Sequence, residues 1–310
     1  MVDIGIPEGR RIKIAAEYYT RLTSWIDNNG KWAGLGDDGA DGMMDYIHTR
    51  SREFFLAKTD YLKLKSEEFD NEYGLEKTAY NTVTGDAKKD TSYGKFIQRM
   101  RDIYRGFMQE LDSNKVKNGY WLMKKLGVRV CPYCNRNYTV TVDEDEIKVR
   151  PEYDHFHPEA LYPSLILSFY NLVPSCPECN HLKQVKEIDM NPWVGYNAST
   201  RPKIKVDTST GDFPARPTLL IENENENTKK LGIKELYNEH SDYVKDILNK
   251  IQAYNPATYS AIIRDFQGIV NTESGLERMV WGNYTNQEYA GKRPFAKLTA
   301  DILEQYKKYL

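Results

Sequence analysis

No stretch of this 310-residue chain approaches the roughly 20 consecutive apolar residues that a bilayer-spanning helix needs. Its first residues, MVDIGIPEGRRIKIAAEYY, hold no apolar signal core, so a cytoplasmic location without membrane contact is expected. There is no GxxxxGK[ST] segment, which excludes ATP binding through a P-loop. Internal repeats are lacking, and no helix-turn-helix or other base-reading motif stands out, which disfavours intrinsic sequence specificity. Charge of one sign is also lacking. The net charge of −2 argues against a protein that coats nucleic acid through bulk charge. One apparent motif is empty: Gly34, Gly36 and Gly39 fit GxGxxG, but no strand precedes them and the neighbouring aspartates would repel a pyrophosphate. Ala33–Gly42 therefore reads as a loop.

Apolar and charged residues make up 40% and 28% of the chain, as in ordinary globular proteins. The pattern predicts an α+β fold, mostly helical, around a central unit that carries strands. Three regions follow: helical residues 1–112, a central unit at 113–195, and a hairpin plus helices at 196–310. Lys95–Leu111 is the clearest helix, with Phe96, Met100, Ile103, Tyr104, Phe107, Met108 and Leu111 at helical spacing. Tyr138, Val140 and Val142, then Ile147 and Val149, alternate with polar residues about a charged turn and predict a hairpin. Leu161–Tyr170 reads as a buried apolar segment and Asn180–Glu187 as a helix. A second hairpin is expected within Ile204–Ile221, a solvated stretch at Glu222–Lys230, and amphipathic helices over Leu231–Tyr254 and Arg293–Leu310.

The four cysteines fall as Cys131-Pro-Tyr-Cys134 and Cys176-Pro-Glu-Cys179, with none left over. In a chain without an export signal, two CxxC knuckles point to tetrahedral thiolate zinc rather than disulfides. The long loop between the knuckles must hold something. A basic run (Lys115, Lys117, Lys124, Lys125, Arg129, Arg136) leads into and through the first knuckle with no acidic residue among them. It would track a phosphate backbone or form a solvated helix face.

Three short pieces lie between or beside the knuckles: Asp154-His155-Phe-His157-Pro158, Asn171-Leu172-Val173, and Asn180-His181-Leu182-Lys183. Interlocked with the two CxxC pairs, they resemble the HNH, or ββα-metal, endonuclease superfamily, over roughly residues 131–190. The form CPYCNRNYT…YDHFHPEALYPSLILSFYNLVPSCPECNHLK is similar to HNH nuclease partners of Septu-type and retron-linked antiphage systems, which work beside an ABC-like ATPase. The resemblance implies a central zinc-braced ββα unit and a phosphodiester hydrolase acting on DNA, with RNA as the alternative substrate, using structural Zn²⁺ and a catalytic Mg²⁺ or Mn²⁺. It makes His155 the general base, Asp154 and Asn180 ligands of the catalytic ion, and Asn171 a tie that keeps His155 oriented. Lys183, with Lys124, Lys125, Arg129 and Arg136, would meet the nucleic acid.

The residue chemistry agrees. An imidazole with an ordinary pKa near 6.5 is largely neutral at pH 7 and can accept a proton from water. Two oxygen ligands completed by water and phosphate suit Mg²⁺ or Mn²⁺. His181 instead of Asn180 would favour softer ions; the two side chains lie about 100° apart on a helix, so one of them faces the metal. Asn180 has the better spacing to Lys183. His157 reads as a turn residue, with a phosphate contact or a backup base as the alternatives. His48 and His240 read as surface residues. The rival reading, from another class, is a zinc-braced module that binds nucleic acid or protein without cutting.

Overall fold

A computed structural model describes residues 2–195, 197, 199–266 and 273–310. Its N-terminal region is built from α1 (Glu8–Asn28), α2 (Asp38–Thr49), α3 (Ser51–Phe55), α4 (Thr59–Glu72), α5 (Gly74–Thr82), α6 (Ser92–Gln109) and α7 (Asn118–Leu126). α1 forms because Ile14, Ala15, Tyr18, Leu22 and Ile26 recur at helical spacing, and all five are buried. α6 begins where the Thr91 hydroxyl accepts from the Gly94 amide at 3.0 Å. It buries Phe96, Met100, Ile103 and Phe107. Leu111, expected on the same stripe, lies beyond the helix end and is exposed.

The loop expected over Ala33–Gly42 ends early, at Asp37. That carboxylate accepts from the Ala40 amide at 3.0 Å and starts α2. The cap and the buried stripe of Ala40, Met43, Met44 and Ile47 outweigh two helical glycines, each costing about 1 kcal/mol relative to alanine. Gly39 has a packing reason as well: a Cβ there would stand 3.0 Å from the Ser92 hydroxyl on α6.

Among the described residues, three two-stranded antiparallel sheets follow. β1 (Val142–Glu144) and β2 (Ile147–Val149) form the first hairpin, shorter than the alternation predicts, with Ile147 and Val149 exposed. β3 (Glu152–His155) and β4 (Leu172–Ser175) form the second, with Asp154 opposite Val173 and His155 opposite Leu172. α8 (Pro177–Lys183) leaves directly from β4 and packs on β3. β3, β4 and α8 are the ββα unit, so the exposed β1–β2 hairpin is an addition to it. α8 starts at Pro177 and not at Asn180, since proline suits a first helical position where no N–H bond is lost. It stops at Gln184, whose φ is +46°.

β5 (Lys203–Val206) and β6 (Leu219–Glu222) form the third sheet. Helices α9 (Glu226–Lys230), α10 (Ile233–Asn238), α11 (Ser241–Ala253), α12 (Pro256–Phe266), α13 (Glu273–Trp281) and α14 (Ala296–Gln305) complete the chain. α9 corrects the solvated stretch expected there. Asn225 and Thr228 form a capping box, and the buried Asn227 side chain accepts from the Asp189 amide at 2.7 Å. The chain is thus α+β and mostly helical. Most buried apolar side chains among the described residues form one cluster that runs from Ile4 to Tyr306. Among the described residues, no helix is long and apolar enough to cross a membrane.

Candidate functional site

The knuckles converge. Cys131 and Cys134 sit in a turn closed by the Asn135 amide on the Cys131 carbonyl at 2.8 Å, with Asn135 at a φ of +54°. Cys176 caps α8 and Cys179 lies in its first turn. All four are buried, none is in a disulfide, and their sulfurs lie within 4.8 Å of one another. A tetrahedral ion with bonds of about 2.3 Å sets its sulfurs about 3.8 Å apart, and Cys134 and Cys176 are separated by 3.9 Å. The donor set and spacing fit zinc, and the cluster could hold one. The Tyr237 hydroxyl donates to the Cys134 carbonyl at 2.6 Å, tying α10 to the knuckle.

Beside it, a cavity of about 420 Å³ is lined in part by Asp154, His155 and Asn180. Strand alternation turns Asp154 and His155 to opposite sides of β3, and both still reach this opening. His155 Nε2 lies 3.0 Å from the Ile166 carbonyl. A carbonyl only accepts, so Nε2 carries the proton and Nδ1 is left with a free lone pair. The Tyr104 ring packs edge-on at 4.9 Å. Burial pushes the His155 pKa below its ordinary value, opposed by the Glu159 carboxylate. Burial also pushes the His157 pKa down, to about 4.

Asn171, wholly buried, accepts from the His157 amide at 2.7 Å and donates to the His157 and Leu165 carbonyls at 3.1 Å each. Its side chain therefore joins the loop after His155 to the segment carrying Ile166, the partner of the imidazole. Asn180 donates from Nδ2 to Glu152 Oε2 at 2.7 Å, leaving its Oδ1 as the free end. His181 is exposed and does not line the cavity.

Asp154 is 3% exposed and held at both oxygens, by the Tyr133 hydroxyl at 2.6 Å and the Lys183 ammonium at 3.1 Å. Lys183, expected to meet a phosphate, is instead fully buried, and its ammonium also donates to the His155 carbonyl at 2.6 Å. Burial pulls the Lys183 pKa down and Asp154 raises it again. The physical reason for the correction is helical phase: Lys183 stands four residues after Cys179, on the inward face of α8.

The basic run is not one free stripe. Lys124 faces Asp143 at 3.5 Å, Lys125 faces Glu17 at 2.9 Å, and Arg136 donates to His240 at 3.0 Å. His240 is thus half-buried against this arginine, whereas His48 is exposed and stacks on Trp32. Arg129 is exposed and lines a different cavity.

Over 114 residues the chain is 27% identical to the Septu protein PtuB of Bacillus thuringiensis. The match covers 36% of this chain and 42% of that protein. The chain therefore matches less than half the length of this curated relative. No protein-family model matches the chain, and no solved structure does.

Four residues at the site were missed by the sequence reading. Tyr133 stands inside the first knuckle, between residues already singled out. Glu152 is two residues before Asp154, on the same side of β3 by alternation. Both were therefore within reach of a more local reading. Arg101 and Tyr104, one turn apart on α6, reach the site only through the fold: Arg101 pairs with Glu159 at 3.0 Å in the cavity wall.

Proposed function

We propose that this chain is a metal-dependent endonuclease of the HNH type, the nuclease component of an antiphage defence system that acts with an ABC-like ATPase. The observation that carries the reading is the single cavity onto which His155, Asp154 and Asn180 open, with His155 Nε2 committed to the Ile166 carbonyl. The partial identity with a Septu protein supports the defence role.

The residues divide the work as follows. His155 Nδ1 accepts a proton from a water as its oxygen bonds to phosphorus, and the bond from phosphorus to the leaving oxygen breaks. Asn171 holds the loop and the carbonyl that fix the imidazole tautomer. Asp154 and the Oδ1 of Asn180 supply the oxygen ligands suited to a divalent Mg²⁺ or Mn²⁺. Such an ion, when bound, stabilises charge on the phosphate and the leaving oxygen. The four-cysteine centre, loaded with zinc, clamps the first knuckle to the start of α8 and so fixes Asn180 relative to β3.

A second reading is favoured by one observation. Both oxygens of Asp154 already have partners, one of them a cation. A zinc-braced module that binds without cutting would keep such a pairing permanently. The test is cleavage of plasmid DNA, single-stranded DNA and RNA with Mg²⁺ or Mn²⁺, with and without the ATPase partner. Wild type is expected to cut at least one, and folded His155→Ala to be slower by about 10²–10⁴-fold. Absence of cleavage on every substrate, with the partner present, would leave the binding module as the better reading.

A further inference from the structure

We infer that Glu152 is a positioning residue for the catalytic ion, acting by holding the Asn180 amide in one orientation; this rests on the nuclease reading above. A primary amide offers an acceptor and a donor end of nearly the same shape. Only the oxygen can ligate a cation, so an amide free to turn over would present its NH₂ group part of the time. Glu152 removes that freedom. Its carboxylate accepts from Asn180 Nδ2 at 2.7 Å, a charge-assisted bond that the flipped amide, with oxygen facing oxygen, would turn into a repulsion.

The fold brings this contact about. Glu152 pairs with Ser175 in the β3–β4 ladder, and Cys176, the next residue, opens α8. The start of α8 is therefore fixed beside Glu152, and Asn180 lies one turn after Cys176, its amide N–H bonded to the Cys176 carbonyl at 3.1 Å. Glu152 itself does not line the cavity that Asp154, His155 and Asn180 share. It stands behind Asn180, where it directs the ligand without taking its place. A partner bond of this kind typically changes metal affinity by about 10–100-fold.

The experiment is Mn²⁺ binding by titration calorimetry on the full zinc-loaded chain, without nucleic acid, for wild type and the Glu152→Ala, Glu152→Gln, Asn180→Ala and Asp154→Ala variants. Zinc content and melting temperature are recorded for each. Glu152→Ala is expected to keep its zinc and its melting temperature and to bind Mn²⁺ about tenfold more weakly. Glu152→Gln, whose amide can accept from Nδ2 but can also donate to a flipped Oδ1, is expected to fall between wild type and Glu152→Ala. Equal losses in Glu152→Gln and Glu152→Ala would overturn the positioning role, because charge alone would then be the cause. Wild-type affinity in Glu152→Ala, alongside weakened Asn180→Ala, would also overturn it while leaving the nuclease reading intact. Unchanged binding in Asn180→Ala and Asp154→Ala would remove the nuclease reading itself, and this inference with it.

Discussion

Replacing Lys183 by methionine keeps most of the apolar stem in place and removes the ammonium. Asp154 would then be a carboxylate 3% exposed, with the Tyr133 hydroxyl as its remaining described partner. Breaking a buried ion pair from one side costs about 3–5 kcal/mol, because the surviving charge is left without compensation. The lost bond to the His155 carbonyl at 2.6 Å adds roughly 1 kcal/mol or more. Against a total stability of about 5–15 kcal/mol, that is a large fraction. Guanidinium unfolding followed by tryptophan fluorescence would measure it. The Lys183→Met, Asp154→Asn double variant has no stranded charge and should recover at least about 2 kcal/mol of the loss. Added Mn²⁺ should also stabilise Lys183→Met more than wild type, since a divalent cation can replace the missing positive charge. A Lys183→Met protein within about 1 kcal/mol of wild type, or a double variant no better than the single one, would refute the reasoning.

Two further outcomes concern the brace and the N-terminal helices. Cys176→Ser should lose zinc and much of its cooperative unfolding together, because structural zinc contributes on the order of 10 kcal/mol to units of this size; metal analysis and calorimetry on one sample check this. Asp37, held at about pKa 2 by the Ser92 hydroxyl, the Ala40 amide and Lys95, lies below the ordinary carboxylate value. Its contribution is therefore present above about pH 4 and is lost as the pH falls toward 2. The melting-temperature gap between wild type and Asp37→Ala should be open at pH 6 and close between pH 4 and 2, and a gap independent of pH would contradict this.

How much was legible follows from which information is local. The knuckles, the Asp154-His155 pair and Asn180 announce themselves by residue type and spacing, and the fold gathers Asp154, His155 and Asn180 around one opening. A lysine after a motif suggests solvent or phosphate, whereas Lys183 is buried. Its spacing from Cys179 held the contrary signal, since residues four apart share a helix face. The start of α2 was missed because glycine and aspartate count as loop formers, whereas Asp37 is a cap. The partnership of Tyr104 with His155, and of Arg101 with Glu159, joins residues far apart in the sequence. The place of Tyr104 on the α6 stripe predicts burial, not the neighbour that packs on it.

Residues 113–195 depend on the flanking helices for their core. A piece of this size has little core of its own, and here its apolar residues are shared. Tyr18 on α1 packs on Phe169 at 5.7 Å and donates to the Leu167 carbonyl, while Ser168 donates to the Phe54 carbonyl at 2.7 Å. Leu167 neighbours Ile166, whose carbonyl fixes the His155 tautomer. On the other side, Asn135 donates to the Ala290 carbonyl and accepts at its own carbonyl from the Phe295 amide, both at 2.7 Å. Excising residues 113–195 would thus expose Leu165, Leu167 and Phe169 and release the segment that orients His155. The expected fragment keeps a tetrathiolate zinc signature, readable with cobalt substitution, but exchanges the Phe156–Tyr170 amides rapidly and loses cleavage. A fragment that cuts as fast as the whole chain and protects those amides equally would show that the flanking helices serve something other than the site.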